Sequence, residues 1–148
     1  MRLSRASLYA VHGMTFLAGQ PGRAFIPLSR IREQVGLPEK HLAKIFKTLV
    51  RSGLLKSLRG VNGGFSLARP AETITALDVI RTIEGQIPRG DCPVHPESRE
   101  NGPCCPVNRL VVEGRQRMAD ILSQATLADL TKSPRAESAP EGGHRRRK

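Results

Sequence analysis

The stretch from Leu37 to Ala68 constrains this chain more than any other. Its first part, Leu37 to Gly53, has the pattern of an amphipathic helix. Pro38 suits the opening turn, where a missing N–H costs nothing, and Gly53 suits the end. Leu42, Ile45, Phe46 and Leu49 recur at three- and four-residue spacing and share one face. Lys40, Lys44, Lys47 and Arg51 recur at the same spacing on another. One stripe needs a core and the other attracts an anion. After Gly53 come two short apolar runs around a glycine-rich turn, with Asn62-Gly63 expected at its tip, which is a hairpin signal. A basic helix followed by a hairpin with Arg59 near its tip is the plan of a winged helix-turn-helix. In that plan the helix enters the major groove of DNA and the wing tracks the adjacent backbone or minor groove. A lysine stripe alone is ordinarily a solvated helix face. The order of the two signals, together with the charge, selects the DNA reading.

The chain before this stretch completes the unit. Residues 4 to 18 read as a helix capped by Ser4, with Ala6, Tyr9, Ala10, Gly13, Met14 and Leu17 on one face. Gly19 to Gly22 break it, and Pro27 opens a second helix through Val35, with Leu28, Ile31 and Val35 inward. Gly36 makes the tight turn into the Pro38 helix, and Leu37 tucks beneath it, giving helix, glycine turn, helix. Beyond the wing, Thr75 and Asp78 form a capping-box start for a short helix that carries Leu77, Ile80 and Ile83 and ends at Gly85.

The formal net charge of +11 over 148 residues points to a polyanionic partner, most simply nucleic acid. No apolar run approaches the ~18 residues of a membrane span. The opening Met1-Arg2-Leu3 leads into an amphipathic pattern rather than an apolar signal block, so a cytoplasmic protein with no membrane partner is expected. No general base, phosphate loop or nucleophile constellation is present, which argues against an enzyme.

Residues 86 to 106 differ in kind. Pro88, Pro93, Pro96, Pro103 and Pro106, with Gly90 and Gly102, exclude regular structure. All 3 cysteines, Cys92, Cys104 and Cys105, lie here with His95. An odd number of crowded thiols in a reducing compartment leaves a metal, a redox role or nothing. Zinc prefers four closed ligands, and Cys92, His95, Cys104 and Cys105 supply that number. A zinc-stabilised interaction module is therefore one alternative, and a thiol- or metal-dependent enzyme another. Residues 107 to 125 read as a long helix with Val107, Leu110, Val111, Gly114, Met118, Ile121, Leu122 and Ala125 along one side. That is an apolar stripe of roughly 28 Å. It packs on its own domain or, since a small domain can hardly cover it, forms a dimer seam. Thr126 to Leu130 begin a last helical turn, and the residues from Ser133 to Lys148 read as a disordered basic tail. The expected division is 1–85 for the DNA-binding domain, 86–106 for the cysteine loop, 107–132 for the dimerisation and terminal helices, and 133–148 for the tail.

The run Arg59-Gly60-Val61-Asn62-Gly63-Gly64-Phe65-Ser66-Leu67-Ala68-Arg69-Pro70, then Ile74 and Ile83-Glu84-Gly85, resembles the wing signature of the Rrf-two type regulators. Met1-Arg2-Leu3 with Tyr9-Ala10-Val11, and Thr126 to Leu130 at the other end, are similar to that family too. The resemblance covers nearly everything before the tail. It implies a mainly α fold with a small β-wing, a winged helix-turn-helix head and a long C-terminal dimerisation helix. It further implies a homodimeric transcriptional regulator, in most members a repressor, on a palindromic operator in double-stranded DNA. Carried over, the DNA contacts fall on Pro38, Lys40, His41, Lys44, Arg59, Gly60 and Val61. Arg59 suits a narrow minor groove or a phosphate, and Gly60, Gly63 and Gly64 let the backbone approach closely.

Many members of that family hold an iron–sulfur cluster on three cysteines spaced C-x5-C-x5-C. Here Cys92 and Cys104 keep the outer spacing and Ser98 stands at the middle position. The resemblance implies a cluster, 2Fe-2S before 4Fe-4S, on Cys92, on Cys104 or Cys105, and on a non-cysteine ligand, His95 or a partner's His12. The sensed signal is then loss or oxidation of the cluster, or thiol chemistry.

Overall fold

Ser4 opens the first helix, α1 (Arg5–Ala18), by accepting the Ser7 backbone N–H on its hydroxyl at 3.2 Å. The computed structural model describes residues 3–36, 38–85 and 106–132; Cys92, His95, Ser98, Cys104, Cys105 and the basic tail lie outside the described residues, as does Leu37. A second tie closes over the same helix end, where Glu84 accepts the Ser4 backbone N–H at 2.8 Å. Hydrogen bonds from the Ser4 and Ser7 side chains and from the Ser4 backbone hold the Glu84 carboxyl below its ordinary pKa.

The helix-turn-helix follows as the sequence implies. Helix α2 (Leu28–Val35) starts after Pro27 and stops at Gly36, which takes the left-handed conformation at φ 69°. Helix α3 (Glu39–Arg51) starts after Pro38 and buries Leu42, Ile45, Phe46 and Leu49. The ring of Phe46 is fully buried and meets Phe65 edge to face, with centroids 5.1 Å apart. Gly13 of α1 leaves room for that ring, since a Cβ there would stand 2.9 Å from its Cζ.

The wing pairs β1 (Leu55–Leu58) with β2 (Gly64–Leu67) antiparallel, Leu55 opposite Leu67 and Leu58 opposite Gly64. The Gly63 N–H donates to the Gly60 carbonyl at 2.9 Å, so the chain turns about Val61-Asn62 and not about Asn62-Gly63 as the sequence suggested. The last strand pair, Leu58 with Gly64, leaves five residues between the strands, too many for a two-residue turn. On its other edge β2 takes a bridge from Ile26, whose N–H and carbonyl each bond to Phe65 at 2.9 Å. This close approach explains Gly64. A Cβ there would stand 2.3 Å from the Ile26 carbonyl oxygen, and one on Gly63 would stand 2.4 Å from that of Leu58. Both glycines therefore admit the chain's own backbone, whereas Gly60 has open space around it.

Helix α4 (Ala76–Glu84) begins with the expected capping box: the Asp78 N–H donates to the Thr75 hydroxyl at 3.1 Å and the Thr75 N–H to the Asp78 carboxylate at 3.0 Å. The long helix α5 (Pro106–Gln124) packs against α4, and α6 (Leu127–Lys132) returns to α1. The return is pinned where the Ala76 N–H meets the Ala125 carbonyl at 2.8 Å and the Leu127 N–H meets the Ile74 carbonyl at 2.9 Å. Leu127 is fully buried in the same core as Met14, Ile31 and Phe46. The terminal helix, grouped above with the dimerisation helix, is thus part of the head. Thr126 caps it reciprocally with Asp129, and the Thr126 side-chain and backbone bonds hold the Asp129 carboxyl below its ordinary value.

Helix α5 does not bury the stripe read from the sequence. Its one buried residue is Ala119, Met118 and Leu122 are half-buried, and Val107, Leu110 and Ile121 are 68%, 64% and 69% exposed. The apolar arc is wide, and only its Ala119 edge faces the head. No helix among the described residues is long and apolar enough to cross a membrane.

Candidate nucleic-acid interface

Because the buried face of α3 is fixed by Leu42, Ile45, Phe46 and Leu49, its opposite face is fixed as well. Lys40, His41, Lys44, Lys47 and Arg51 are all exposed. Pro38 stands exposed as the N-terminal flanking residue, with φ −55° and ψ 137°. At the wing, Arg59 and Gly60 are exposed and Val61 projects fully into solvent. Gly60 has φ 110°, a value that Gly alone adopts readily.

The two halves meet across a cleft of about 620 Å³. Lys47, Val50 and Arg51 of α3 line one wall, Ser57, Leu58 and Arg59 line another, and Pro27, Leu28 and Phe65 also border it. Among the described residues, Lys40, Lys44, Lys47, Arg51 and Arg59 have no ion-pair partner. Unneutralised cations on one face concentrate positive potential there, the electrostatic footprint of a phosphate-binding surface.

Sequence reasoning found the stripe and the wing tip. It read Leu28 as an inward core residue and did not single out Leu58; the two come from segments far apart in the chain, and Leu58 is 49% exposed beside Arg59. Lys47 and Arg51 were visible in the spacing of the stripe and were not counted among the contacts. Among the described residues no three His, Cys, Asp or Glu side chains gather as a metal-ligand set. His12 is exposed on α1.

A recognition helix preceded by a helix and glycine turn, and followed by a two-stranded wing, defines a winged helix-turn-helix DNA-binding head. The family model described as "Iron-dependent Transcriptional regulator" matches residues 3–133, and the chain belongs to this family, Rrf2. It is a DNA-binding transcriptional regulator rather than an enzyme. Among solved structures, CymR of B. subtilis, the global cysteine regulator of that organism, is 30% identical with a TM-score of 0.74, covering 88% of this chain and 96% of its own. IscR of T. potens is 29% identical with a TM-score of 0.72, covering 96% of this chain and 94% of its own. CymR of Staphylococcus aureus is 33% identical with a TM-score of 0.70, covering 87% of this chain and 97% of its own.

Proposed function

We propose that this chain is a cytoplasmic, homodimeric repressor that binds a palindromic operator in double-stranded DNA. The observation that carries the reading is the cation stripe of α3, without an ion-pair partner among the described residues, beside Arg59 of the wing. Lys40, His41 and Lys44 enter the major groove behind Pro38. Arg59, with Gly60 and Val61, follows the backbone into the adjacent minor groove. The second copy docks along the apolar side of α5 left open at Val107, Leu110, Val111 and Ile121. A two-fold dimer then presents two recognition helices to two half-sites, which is why the operator is a palindrome.

The signal enters through the segment 86–105, which joins the head to α5. Its donor set, Cys92, His95 and the Cys104-Cys105 pair, combines soft thiolates with an imidazole, and that chemistry fits an iron–sulfur cluster, 2Fe-2S before 4Fe-4S. A bound cluster supplies a one-electron and oxidant-sensitive centre. Thiol oxidation of the same cysteines is the second reading, favoured by Ser98 at the middle position. Either change in the segment alters how the two heads are held relative to each other, and so the affinity for the operator.

The test of the DNA reading is affinity against salt. Lys44→Ala and Arg59→Ala should each weaken binding without unfolding the protein, and lower the slope of log affinity on log salt by about 0.9 per lost phosphate contact. Unchanged affinity and slope in both variants would remove these residues from the interface. Iron and sulfide assayed after anaerobic purification test the cluster. A colourless preparation with neither, and unchanged DNA binding in Cys92→Ala, would eliminate it.

A further inference from the structure

We propose that the cleft between α3 and the wing seats one sugar–phosphate strand of the operator, with Lys47 and Arg51 as phosphate ligands and Leu28, Val50 and Leu58 against the deoxyribose faces. The inference rests on the DNA reading above and adds residues that the wing signature does not name.

A major groove and its neighbouring minor groove are separated by a single sugar–phosphate strand. A protein that puts a helix in one and a wing in the other must straddle that strand. Whatever lies between helix and wing faces it, and in this chain a cleft of about 620 Å³ lies there.

Length gives the same answer. From Lys40 to Arg51 the cation stripe runs about 16 Å along the helix axis, and the major groove is about 12 Å wide. A helix entering by its N-terminal end therefore cannot keep all four cations inside the groove. Lys40 and Lys44 stay within the groove and reach the phosphates of its walls, while Lys47 and Arg51 emerge at the strand beside it, where they line the cleft.

The lining has the chemistry of the occupant. Among the described residues no Asp or Glu borders the cleft, and its charged residues, Lys47, Arg51 and Arg59, are all cations. Between them stand Leu28, Val50 and Leu58. Phosphates alternate with apolar sugar faces along a nucleic-acid strand, so a surface that alternates cations with aliphatic groups matches it. Leu58 is the telling residue. It is 49% exposed at the end of a wing strand and lines the cleft beside Arg59.

The two kinds of contact leave different marks on binding. The experiment uses the full-length protein, a duplex that the wild type selects from random sequence, and an unrelated duplex of equal length. Thermal melts establish that each variant is folded. Lys47→Ala and Arg51→Ala should each lower the salt slope by about 0.9, and the double variant by about 1.8. Between 50 and 200 mM salt, each lost contact then removes about threefold of the wild type's fall in affinity. The loss at fixed salt should be equal on both duplexes, because phosphates carry no sequence. Leu58→Ala should weaken binding several-fold with the salt slope unchanged. The proposal is overturned if the double variant keeps the wild-type slope while Lys44→Ala and Arg59→Ala lose theirs. It is equally overturned if Leu58→Ala binds as the wild type does. If Lys44→Ala and Arg59→Ala also keep the wild-type slope, the assignment of α3 and the wing to DNA has failed, not the cleft alone.

Discussion

Replacing Gly64 by Ala should damage the wing more than any other single methyl group added to it. The Cβ would stand 2.3 Å from the carbonyl oxygen of Ile26 and 2.8 Å from the nitrogen of Pro27, and backbone atoms cannot swing aside as a side chain can. Residue 64 also has φ 156°, which a side chain disfavours. Relief requires the Ile26 segment and β2 to part, and the two hydrogen bonds between Ile26 and Phe65, each 2.9 Å, then go. Two such bonds are worth about 1–3 kcal/mol together, and residual backbone strain adds about 1–3 kcal/mol. A loss of about 2–6 kcal/mol is large against a typical domain stability of about 5–15 kcal/mol. Urea unfolding reads it as a fall in midpoint with little change in slope. Gly36→Ala is the control, since Gly36 has φ 69° but nothing within 4 Å of an added Cβ. Its cost should be only the left-handed penalty of about 1–2 kcal/mol. DNA binding should fall in Gly64→Ala even where the protein remains folded, because Arg59 moves with the displaced hairpin. Equal midpoints for the two variants, with wild-type DNA affinity in Gly64→Ala, would refute the reasoning.

Three further outcomes are expected. Ile121→Glu should leave the melting temperature of the head nearly unchanged and shift sedimentation at micromolar concentration from dimer to monomer, since Ile121 is 69% exposed and a carboxylate in an apolar seam is costly; a dimer that survives it is not built on this face. Thr75→Ala removes one half of the α4 capping box and should cost about 1 kcal/mol in chemical denaturation, with DNA affinity unaffected. Glu84→Gln should show a pH signature. The folded carboxyl lies below its ordinary value of 4.5, so its contribution is present above that pH and disappears as the pH falls through the lowered folded value. The stability difference from wild type should therefore be visible at neutral pH and vanish in acid, and it should be small because Glu84 is exposed. A difference independent of pH would mean that the carboxylate charge is not what Ser4 and Ser7 recognise.

Where side chains encode a boundary, the sequence locates it to within a residue or so. Ser4, Gly36 and the Thr75–Asp78 pair mark the ends of α1, α2 and α4, because each satisfies or releases specific backbone groups. Boundaries set by distant pairing were invisible. Ile26 bridges to Phe65 as one isolated residue, with no alternation to betray it. Gly63 and Gly64 were read as room for DNA, and they are room for Leu58 and Ile26. On α5 the apolar residues span so wide an arc that periodicity alone could not say which edge meets the head, and the edge at Ala119 does so. The candidate site divides the same way. The cations of α3 are legible because helical spacing aligns them, whereas the cleft needs Leu28 and Leu58 brought together by the fold.

The ring of Phe46 touches more than a core. It belongs to α3, meets Phe65 of β2 edge to face, and fills the space that Gly13 leaves in α1. Helix α3 and the wing are thereby clamped to a common anvil. Neither can rotate alone without opening a void under a fully buried aromatic ring, and interiors packed to crystal-like density resist that strongly. Each head is then a rigid stamp whose letterpress is set. In a homodimer, the adjustable quantity is the gap between two stamps. On the proposed function, a signal arriving through the link to α5 would change which half-site spacing is accepted and leave the preferred bases within each half-site as they were.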